Sequence, residues 1–146
     1  MVKQAHTPQH KILAMTHNGR LLMGSDDIKV DGKVYSKMAG FISSVNWQVK
    51  PWNPAEEEAE YRKAVAKMHR TCRPGGTDTI DGEAVDIILV TTRGEDGKDV
   101  DGRWWIARES GLPLKNEFGV ANGDPGGETW DYRDVKAPDT TRHLQP

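Results

Sequence analysis

Residues 100–118, VDGRWWIARESGLPLKNEF, contain two runs of strand-forming residues separated by a short turn. The first run is rich in aromatic and branched side chains, and the turn contains Ser110 and Gly111. Two such runs joined by a turn predict neighbouring strands of an antiparallel sheet. Because successive side chains of a strand point to opposite faces, Trp104 and Trp105 should lie on opposite faces of that sheet. One should be in the core, and the other should meet a helix, a ligand or solvent.

Hairpin signals recur on both sides of this segment. Asn-Gly or Asp-Gly pairs begin at Asn18, Asp31 and Asp81, and short runs that favour strands flank each pair. Such pairs favour the type I′ turns of two-residue hairpins. An uninterrupted apolar run at 87–90 predicts a central strand that is covered on both faces. The chain should therefore form about eight or nine short strands in a mostly antiparallel sheet.

One amphipathic helix is predicted in the middle of the chain. Asn53 is a good N-cap, Pro54 suits the first helical position, and the glutamates at 56–58 suit a helix N-terminus. The helix should end near residues 71–73, because Pro74 and the two glycines after it cannot continue it. Its apolar stripe should pack on the sheet and bury the cysteine at its end. That stripe consists of Tyr61, Ala64, Val65, Met68 and Cys72.

These patterns together predict a fold of the α+β class that is mostly β. The architecture should be a curved antiparallel sheet, an open half-barrel, with one main amphipathic helix packed on it. A length of 146 residues fits a single domain, 1–146. The polar ends, residues 1–10 and 137–146, should be flexible.

The composition argues against several classes of protein. The formal net charge is −2 and charges of both signs are mixed along the chain, so we expect no nucleic-acid partner and no direct attraction to an anionic membrane. A single cysteine excludes an intrachain disulfide. No stretch approaches the roughly 18 apolar residues of a membrane span.

No set of residues predicts catalysis, a metal site or a cofactor. His6 and His10 lie four residues apart, but Pro8 between them argues against the helix that would bring them together. His69 and Cys72 share a predicted helix face, but a helix C-terminus disfavours a thiolate. The acidic loop at 95–102 does not have the ligand spacing of an EF-hand. We therefore expect a protein that is not an enzyme and that holds no metal and no cofactor.

Aromatic side chains are the remaining candidates for binding a ligand. Aromatic rings often anchor ligands, and they equally often fill a core, so packing under the helix and loops is the alternative interpretation. The candidate ligand-binding residues are Trp104, Trp105, Trp47, Tyr35 and Trp130.

Several segments, in this order along the chain, are similar to segments of one protein family. They are the hairpin DGKVY at 31–35, MAGF at 38–41, the acidic helix ending in Cys72, TDTIDGEA at 77–84, WIARESGLPL at 105–114 and WDYRDV at 130–135. This order, which covers about two thirds of the chain, resembles bacterial envelope proteins with the LolA/LolB-like lipoprotein-carrier half-barrel fold.

The resemblance implies a function. In those carriers helices cap a curved sheet, and an apolar cavity holds acyl chains. This chain would then be a non-enzymatic periplasmic, or otherwise extracytoplasmic, domain whose leader has been removed. It would bind an apolar ligand, a lipid or a lipidated partner protein on its curved sheet, and any membrane association would be indirect. The alternative is an envelope or secreted protein-interaction or structural module with a filled core and no ligand cavity.

Overall fold

A computed structural model describes residues 2–18, 20–40, 46–94, 96–119 and 126–140. Parts of a strand predicted at 41–50, of a loop predicted at 122–127 and of the predicted flexible tail lie outside these residues. In chain order the elements are α1 (Val2–Ala5), β1 (Gln9–His17), β2 (Arg20–Val30), β3 (Lys33–Gly40), β4 (Gln48–Pro51), α2 (Pro54–Ala66), β5 (His69–Ile80), β6 (Glu83–Arg93), β7 (Asp99–Ala107), β8 (Pro113–Phe118) and β9 (Gly126–Asp131).

The described strands form one nine-stranded sheet in the order β4-β3-β2-β1-β9-β8-β7-β6-β5. Every neighbouring pair is antiparallel. The sheet is open, with β4 and β5 at its edges. In one hairpin turn φ is 52° at Asp31 and 73° at Gly32, and in another it is 48° at Asp81 and 81° at Gly82. A positive φ at both central residues is what the predicted type I′ turns require. The predicted mostly β fold with an open antiparallel sheet is confirmed.

The route of α2 explains why the sheet must curve. A flat sheet of nine strands would be about 38 Å wide, at roughly 4.8 Å between neighbours. The chain passes from edge to edge through α2, whose 13 residues span about 20 Å. The four linking residues add at most about 14 Å if they are extended. Two of them, Lys67 and Met68, instead turn back to donate hydrogen bonds to Ala64 and Val65. The edges must therefore approach each other, and α2 crosses the concave side.

The start of α2 agrees with its prediction, and its end does not. The Asn53 Oδ1 accepts a hydrogen bond from the Glu56 backbone N–H at 3.1 Å, which confirms the N-cap. The helix ends at Ala66, about one and a half turns earlier than predicted. Residues from His69 onward instead pair with β6, and Pro74 and the glycines after it form a bulge in β5. Pairing with β6, a long strand rich in β-branched residues, outweighs the helical periodicity of this segment.

Two expectations that depended on a longer helix are therefore wrong. Cys72 is an exposed residue of the edge strand β5 and is not a buried packing cysteine. Met68 lies in the linker, and its side chain is 43% exposed. Within α2, Tyr61 and Val65 are half-buried and Ala64 is exposed, so part of the predicted stripe does face inward.

The expectation that residues 87–90 lie in a central strand is also wrong. They belong to β6, which is next to the edge, and only Val90 among them is buried. The centre of the sheet is formed by β1 and β9, the first and last of the described strands. An uninterrupted apolar run shows that a strand has apolar side chains on both faces, but it does not give the position of the strand in the order.

Described residues near both ends of the chain contact the sheet. Residues 1–10, expected to be flexible, contain α1, and the last two of them already belong to β1. The Gln9 side chain is almost fully buried, and its Nε2 donates to the carbonyls of Gln4 and Thr7 at 2.7 and 3.0 Å. After β9, Val135 packs on a core cluster of Ile28, Val30 and Tyr35.

Candidate ligand-binding face

Strand alternation and register divide the sheet into two faces. The concave face is defined here as the one that α2 crosses, and the convex face is the other. Cross-strand partners place Trp104 and Trp130 on the concave face and Trp105 on the convex face. The prediction that Trp104 and Trp105 point in opposite directions is confirmed. Trp105, at 6% exposure, is the core residue, and Trp104 is the half-buried one.

Two tryptophans meet on the concave face. The rings of Trp104 and Trp130 are stacked, with centroids 5.7 Å apart and planes inclined by 20°. Trp104 lies on β7 and Trp130 on β9, with β8 between them. We call these two residues the tryptophan pair. Stacked indoles form a rigid apolar platform, because each ring has only two rotatable bonds.

An apolar row crosses the concave face next to the tryptophan pair. Its side chains are small or apolar, and its two glycines alternate with larger residues. Gly126 is opposite Phe118, and a Cβ built at Gly126 would lie 2.6 Å from the Phe118 ring. The phenyl ring therefore occupies the space above Gly126. The row consists of Cys72, Val90, Gly102, Phe118, Gly126, Met15 and Met23.

The other part of the concave face, beneath α2, is charged. A cavity of about 470 Å³ lies between the helix and strands β1 to β4. The Lys29 ammonium pairs with Glu57 of α2, and the Trp52 indole N–H donates to the same carboxylate at 2.9 Å. No residue of α2 is fully buried, so polar contacts of this kind hold it over the sheet. The charged residues lining this cavity are Lys11, Asp27, Lys29, Lys50, Glu56, Glu57 and Glu60.

Asn116 and Glu128 form a polar pair on the concave face, and Glu128 lies on β9 between Trp130 and Gly126 of the apolar row. The buried Asn116 amide donates to a Glu128 carboxylate oxygen at 3.0 Å and accepts from the Glu128 backbone N–H at 2.9 Å. The other Glu128 oxygen pairs with Lys11 at 3.0 Å. These partners satisfy the polar groups, so Asn116 can remain buried beside the tryptophan pair.

The remaining predicted ligand-binding residues are on the convex face. Tyr35 belongs to the core cluster with Ile28 and Val30, and Trp47 packs against that cluster. The Lys37 ammonium lies 4.8 Å from the Trp47 ring centre. Trp105 is buried beside Lys115, whose ammonium is 4.7 Å from its ring. The five predicted residues therefore do not form one site: Trp104 and Trp130 meet on the concave face, whereas Tyr35 and Trp47 share a cluster on the convex face and Trp105 lies beside Lys115.

Sequence reasoning missed most of the concave face. Phe118, Val90, Met15 and Met23 come from four different strands, and only their register brings them into one row. The sequence does give the alternation of side chains within each strand. By that alternation Phe118 lies on the same face of β8 as Asn116, two residues before it. The spatial order of the strands was not available, because β1 pairs with β9 from the opposite end of the chain.

Several titratable groups are engaged in local pairs. His6 and Glu58 are 2.7 Å apart, and hydrogen bonds from His6 and then Arg62 hold the pKa of the Glu58 carboxyl below its ordinary value. His10 pairs with Asp26 at 2.5 Å. Burial raises the pKa of the Tyr132 hydroxyl, which donates to the Pro113 carbonyl at 2.6 Å. Within the described ranges, no three His, Cys, Asp or Glu side chains converge as a metal site would require.

No described helix is long enough and apolar enough to cross a membrane. The sequence matches no protein-family model, and no curated protein is detectably similar to it in sequence.

Solved structures do share this fold. The lipoprotein LppX of Mycobacterium tuberculosis matches with a TM-score of 0.58 at 12% identity, over 94% of this chain and 96% of LppX. LprF of Mycobacterium bovis matches with a TM-score of 0.54 at 12% identity, over 94% of this chain and 91% of LprF. MucB in complex with MucA(peri) matches with a TM-score of 0.56 at 15% identity, over 99% of this chain and 57% of MucB. This chain therefore has the half-barrel fold that LppX, LprF and MucB share.

Proposed function

We propose that this protein is a non-enzymatic envelope protein that binds the acyl chain of a lipid or of a lipidated partner. The binding surface would be the tryptophan pair together with the apolar row. The observation that carries the proposal is that stacked indoles and a row of apolar side chains adjoin on one concave face. Concave apolar surfaces with few polar groups are the usual form of sites for apolar ligands.

The charged cavity beneath α2 is not a suitable acyl site. Its lining includes three lysines and three glutamates as well as Asp27. Bringing hydrocarbon against such groups would remove water from them without replacing its hydrogen bonds. We therefore place the acyl chain over the tryptophan pair and the apolar row, where Met23 is 36% exposed and Trp104 is half-buried. The charged cavity would then adjoin the polar end of the ligand.

A titration with dodecanoic acid, followed by tryptophan fluorescence, tests this proposal. We expect saturable quenching or a blue shift at micromolar ligand. Trp104→Phe should weaken binding by about three- to tenfold, because it removes apolar area from the platform. Trp47→Phe is the matched control, since it alters a half-buried tryptophan of the convex face. Absence of binding, or equal weakening by the two variants, would refute the proposal.

The location in the envelope has its own test. The LolA/LolB-like resemblance implies an extracytoplasmic domain, and LppX, which has the same fold, is a lipoprotein. We expect the native gene to direct its product to the envelope fraction of the cell. Recovery of the native product in the cytoplasmic fraction alone would show that the assignment is wrong.

A protein partner without a lipid is the second candidate. It is supported by MucB, which shares the fold and forms a complex with MucA(peri). The exposed edge strand β5, whose outer backbone groups have no neighbouring strand in the described sheet, offers a surface for such a partner. If dodecanoic acid does not bind, this second function becomes the leading one.

A further inference from the structure

The edge strand β5 carries opposite charges in its two halves. Arg70 and Arg73 lie in the first half, and Asp78 lies in the second. The strand is exposed along almost its whole length, and no strand lies beyond it in the described sheet. In an antiparallel pair of two such strands, the basic half of one would lie against the acidic half of the other. This charge arrangement therefore fits a second copy of the chain better than a partner strand of a single charge.

A bulge in β5 brings Arg73 and Asp78 to the same face. The two residues are five positions apart, so in a regular strand they would point to opposite faces. At residues 75–76, two glycines of β5 lie opposite a single residue of β6, which adds one residue to this strand. The register after the bulge places Asp78 opposite Val85, whereas Arg73 lies opposite Leu89. Both of these β6 residues are on the convex face, so the two charges are as well.

The outward backbone groups of β5 suit the same pairing. Alternate residues of an antiparallel strand bond to one neighbour, and the residues between them bond to the other. The Ala84 carbonyl of β6 accepts from the Arg108 N–H on the β7 side at 3.0 Å. Thr79 is opposite Ala84, so its backbone groups face away from β6, and its N–H is bonded to the Asp78 carboxylate at 2.8 Å. The same alternation along β6 turns the backbone groups of Cys72 outward.

We propose that two copies of this chain pair through β5, antiparallel, about a two-fold axis that passes between their glycine bulges. Arg73 of one copy would lie opposite Asp78 of the other, in a pair without backbone hydrogen bonds, where side chains are closest. Cys72 would lie opposite Thr79 in a hydrogen-bonded pair. The Asp78 carboxylate would then exchange the Thr79 N–H for the guanidinium of the second copy. This inference goes beyond the proposed function, because it requires no ligand on the concave face.

Pro74 shortens the ladder of hydrogen bonds but does not break it. Prolines and bulges often limit pairing at sheet edges. Pro74 is opposite Ile88, whose backbone groups face β7, so its missing N–H would face the second copy. Its pair with Thr77 would therefore have one hydrogen bond, whereas the pair of Cys72 with Thr79 keeps two. Because the two-fold axis repeats each pair, about six backbone hydrogen bonds would join the copies.

Disulfide cross-linking tests the register. In Thr79→Cys the new thiol would face Cys72 of the second copy, with Cα atoms about 5.5 Å apart, within reach of a disulfide. Positions 72 and 79 of one chain are about 20 Å apart along the strand, so no disulfide can form within one chain. We expect mild oxidation to convert Thr79→Cys to a covalent dimer. The wild type should not be converted, because its two Cys72 side chains would also be about 20 Å apart.

Ala84→Cys is the matched control for cross-linking. Position 84 is exposed and lies opposite position 79, one strand further from the interface. Its Cα would be about 10 Å from that of Cys72 in the second copy, which is too far for a disulfide. Oxidation should therefore leave Ala84→Cys without a covalent dimer.

Charge exchange tests the ion pairs by sedimentation equilibrium. Arg73→Asp and Asp78→Arg should each weaken the dimer by about five- to thirtyfold, because each variant puts like charges opposite one another at two positions. An equimolar mixture of the two variants should associate about as tightly as the wild type, since every arginine would again face an aspartate. Damage within one chain would not be repaired by mixing.

The two assays together decide the proposal. A wild type that stays monomeric at millimolar concentration would overturn it. A dimer that neither cross-links through Thr79→Cys nor recovers on mixing the charge variants would have its interface elsewhere, and the proposal would be wrong. If circular dichroism shows that a variant of one assay does not fold, the other assay decides. Binding of dodecanoic acid has no bearing on either result, so failure of the proposed function would be seen separately.

Discussion

Replacing Gly126 with alanine should destabilise the fold by an amount that depends on Phe118. These two residues are direct cross-strand partners on β9 and β8. An alanine Cβ at position 126 would lie 2.6 Å from Phe118 Cε2 and 2.9 Å from its Cζ. It would also lie 3.3 Å from the Met15 Cγ. The first two distances are below any real carbon–carbon contact, so the phenyl ring must move. Overpacking of this kind costs about 1–3 kcal/mol.

A double-mutant cycle isolates the clash. Phe118→Leu alone should cost about 1 kcal/mol, as a change of shape within the apolar row. In that background the space above position 126 is larger, so Gly126→Ala should cost less than it does in the wild type. We expect a coupling free energy of about 1–2 kcal/mol in urea unfolding monitored by circular dichroism.

Gly127→Ala is the control for this cycle. A Cβ at Gly127 would lie 2.6 Å from the Asn116 carbonyl oxygen, which belongs to the backbone and does not move with Phe118. Gly127→Ala should therefore be destabilising in both backgrounds, without coupling to Phe118→Leu. If Gly126→Ala is neutral, or if it costs the same in both backgrounds, the proposed packing of this row is wrong.

Three further measurements test other parts of the structure. Tyr132→Phe should cost about 1 kcal/mol at neutral pH, because the hydrogen bond to the Pro113 carbonyl is lost. Burial raises the pKa of the Tyr132 hydroxyl, so as pH rises this hydroxyl ionises in the unfolded chain before it does so in the folded protein. The free energy of unfolding of the wild type should therefore fall above about pH 10. Urea unfolding at a series of pH values should show a smaller fall in Tyr132→Phe. Cys72 is exposed, so its thiol should react with an aromatic disulfide reagent in the folded protein, and protection until unfolding would contradict the position of β5. The NMR titration midpoint of the Glu58 carboxyl should lie below the ordinary value and rise in His6→Ala, because the His6 hydrogen bond is the main cause of the lowered pKa. An unchanged midpoint in His6→Ala would argue against that hydrogen bond.

Local signals in the sequence predicted local structure well. The hairpin turns at Asp31 and Asp81, the N-cap at Asn53 and the opposite directions of Trp104 and Trp105 all depend on a few consecutive residues. Each is set by backbone preference or by strand alternation, which nearby residues determine. The structure confirms these predictions, and none of them needed knowledge of contacts between distant parts of the chain.

The end of α2 shows where such reasoning stops. Residues 67–72 continue an apolar spacing that suits a helix, yet from His69 they pair with β6. Helical spacing over one or two turns is a weak signal, and the long strand β6 offers these residues a ladder of backbone hydrogen bonds along one side. The misplaced Cys72 follows from this single error, because the same residue would be inward on the helix and is exposed on the edge strand.

The candidate site could be predicted only in part, for a geometric reason. Alternation gives the face of each residue within its own strand, but the strand order and register decide which residues share a face across the sheet. Trp104 and Trp130 became neighbours because β7, β8 and β9 are consecutive in the sheet. Tyr35 was a candidate ligand-binding residue like them, and register places it on the convex face with Ile28.

The pairing of the first strand with the last has a consequence for how the chain folds. Strands β1 to β4 and strands β5 to β9 are each consecutive in the sheet, so each half can form from pairings between neighbours in sequence. The halves meet in one seam between β1 and β9, where His10 is opposite Asp131, 131 − 10 = 121 positions away. Contacts so distant in sequence form slowly, so closing this seam is expected to be the late step of folding. The α2 segment is the covalent link between the halves, and a chain cut there would give two fragments able to reassemble along the seam.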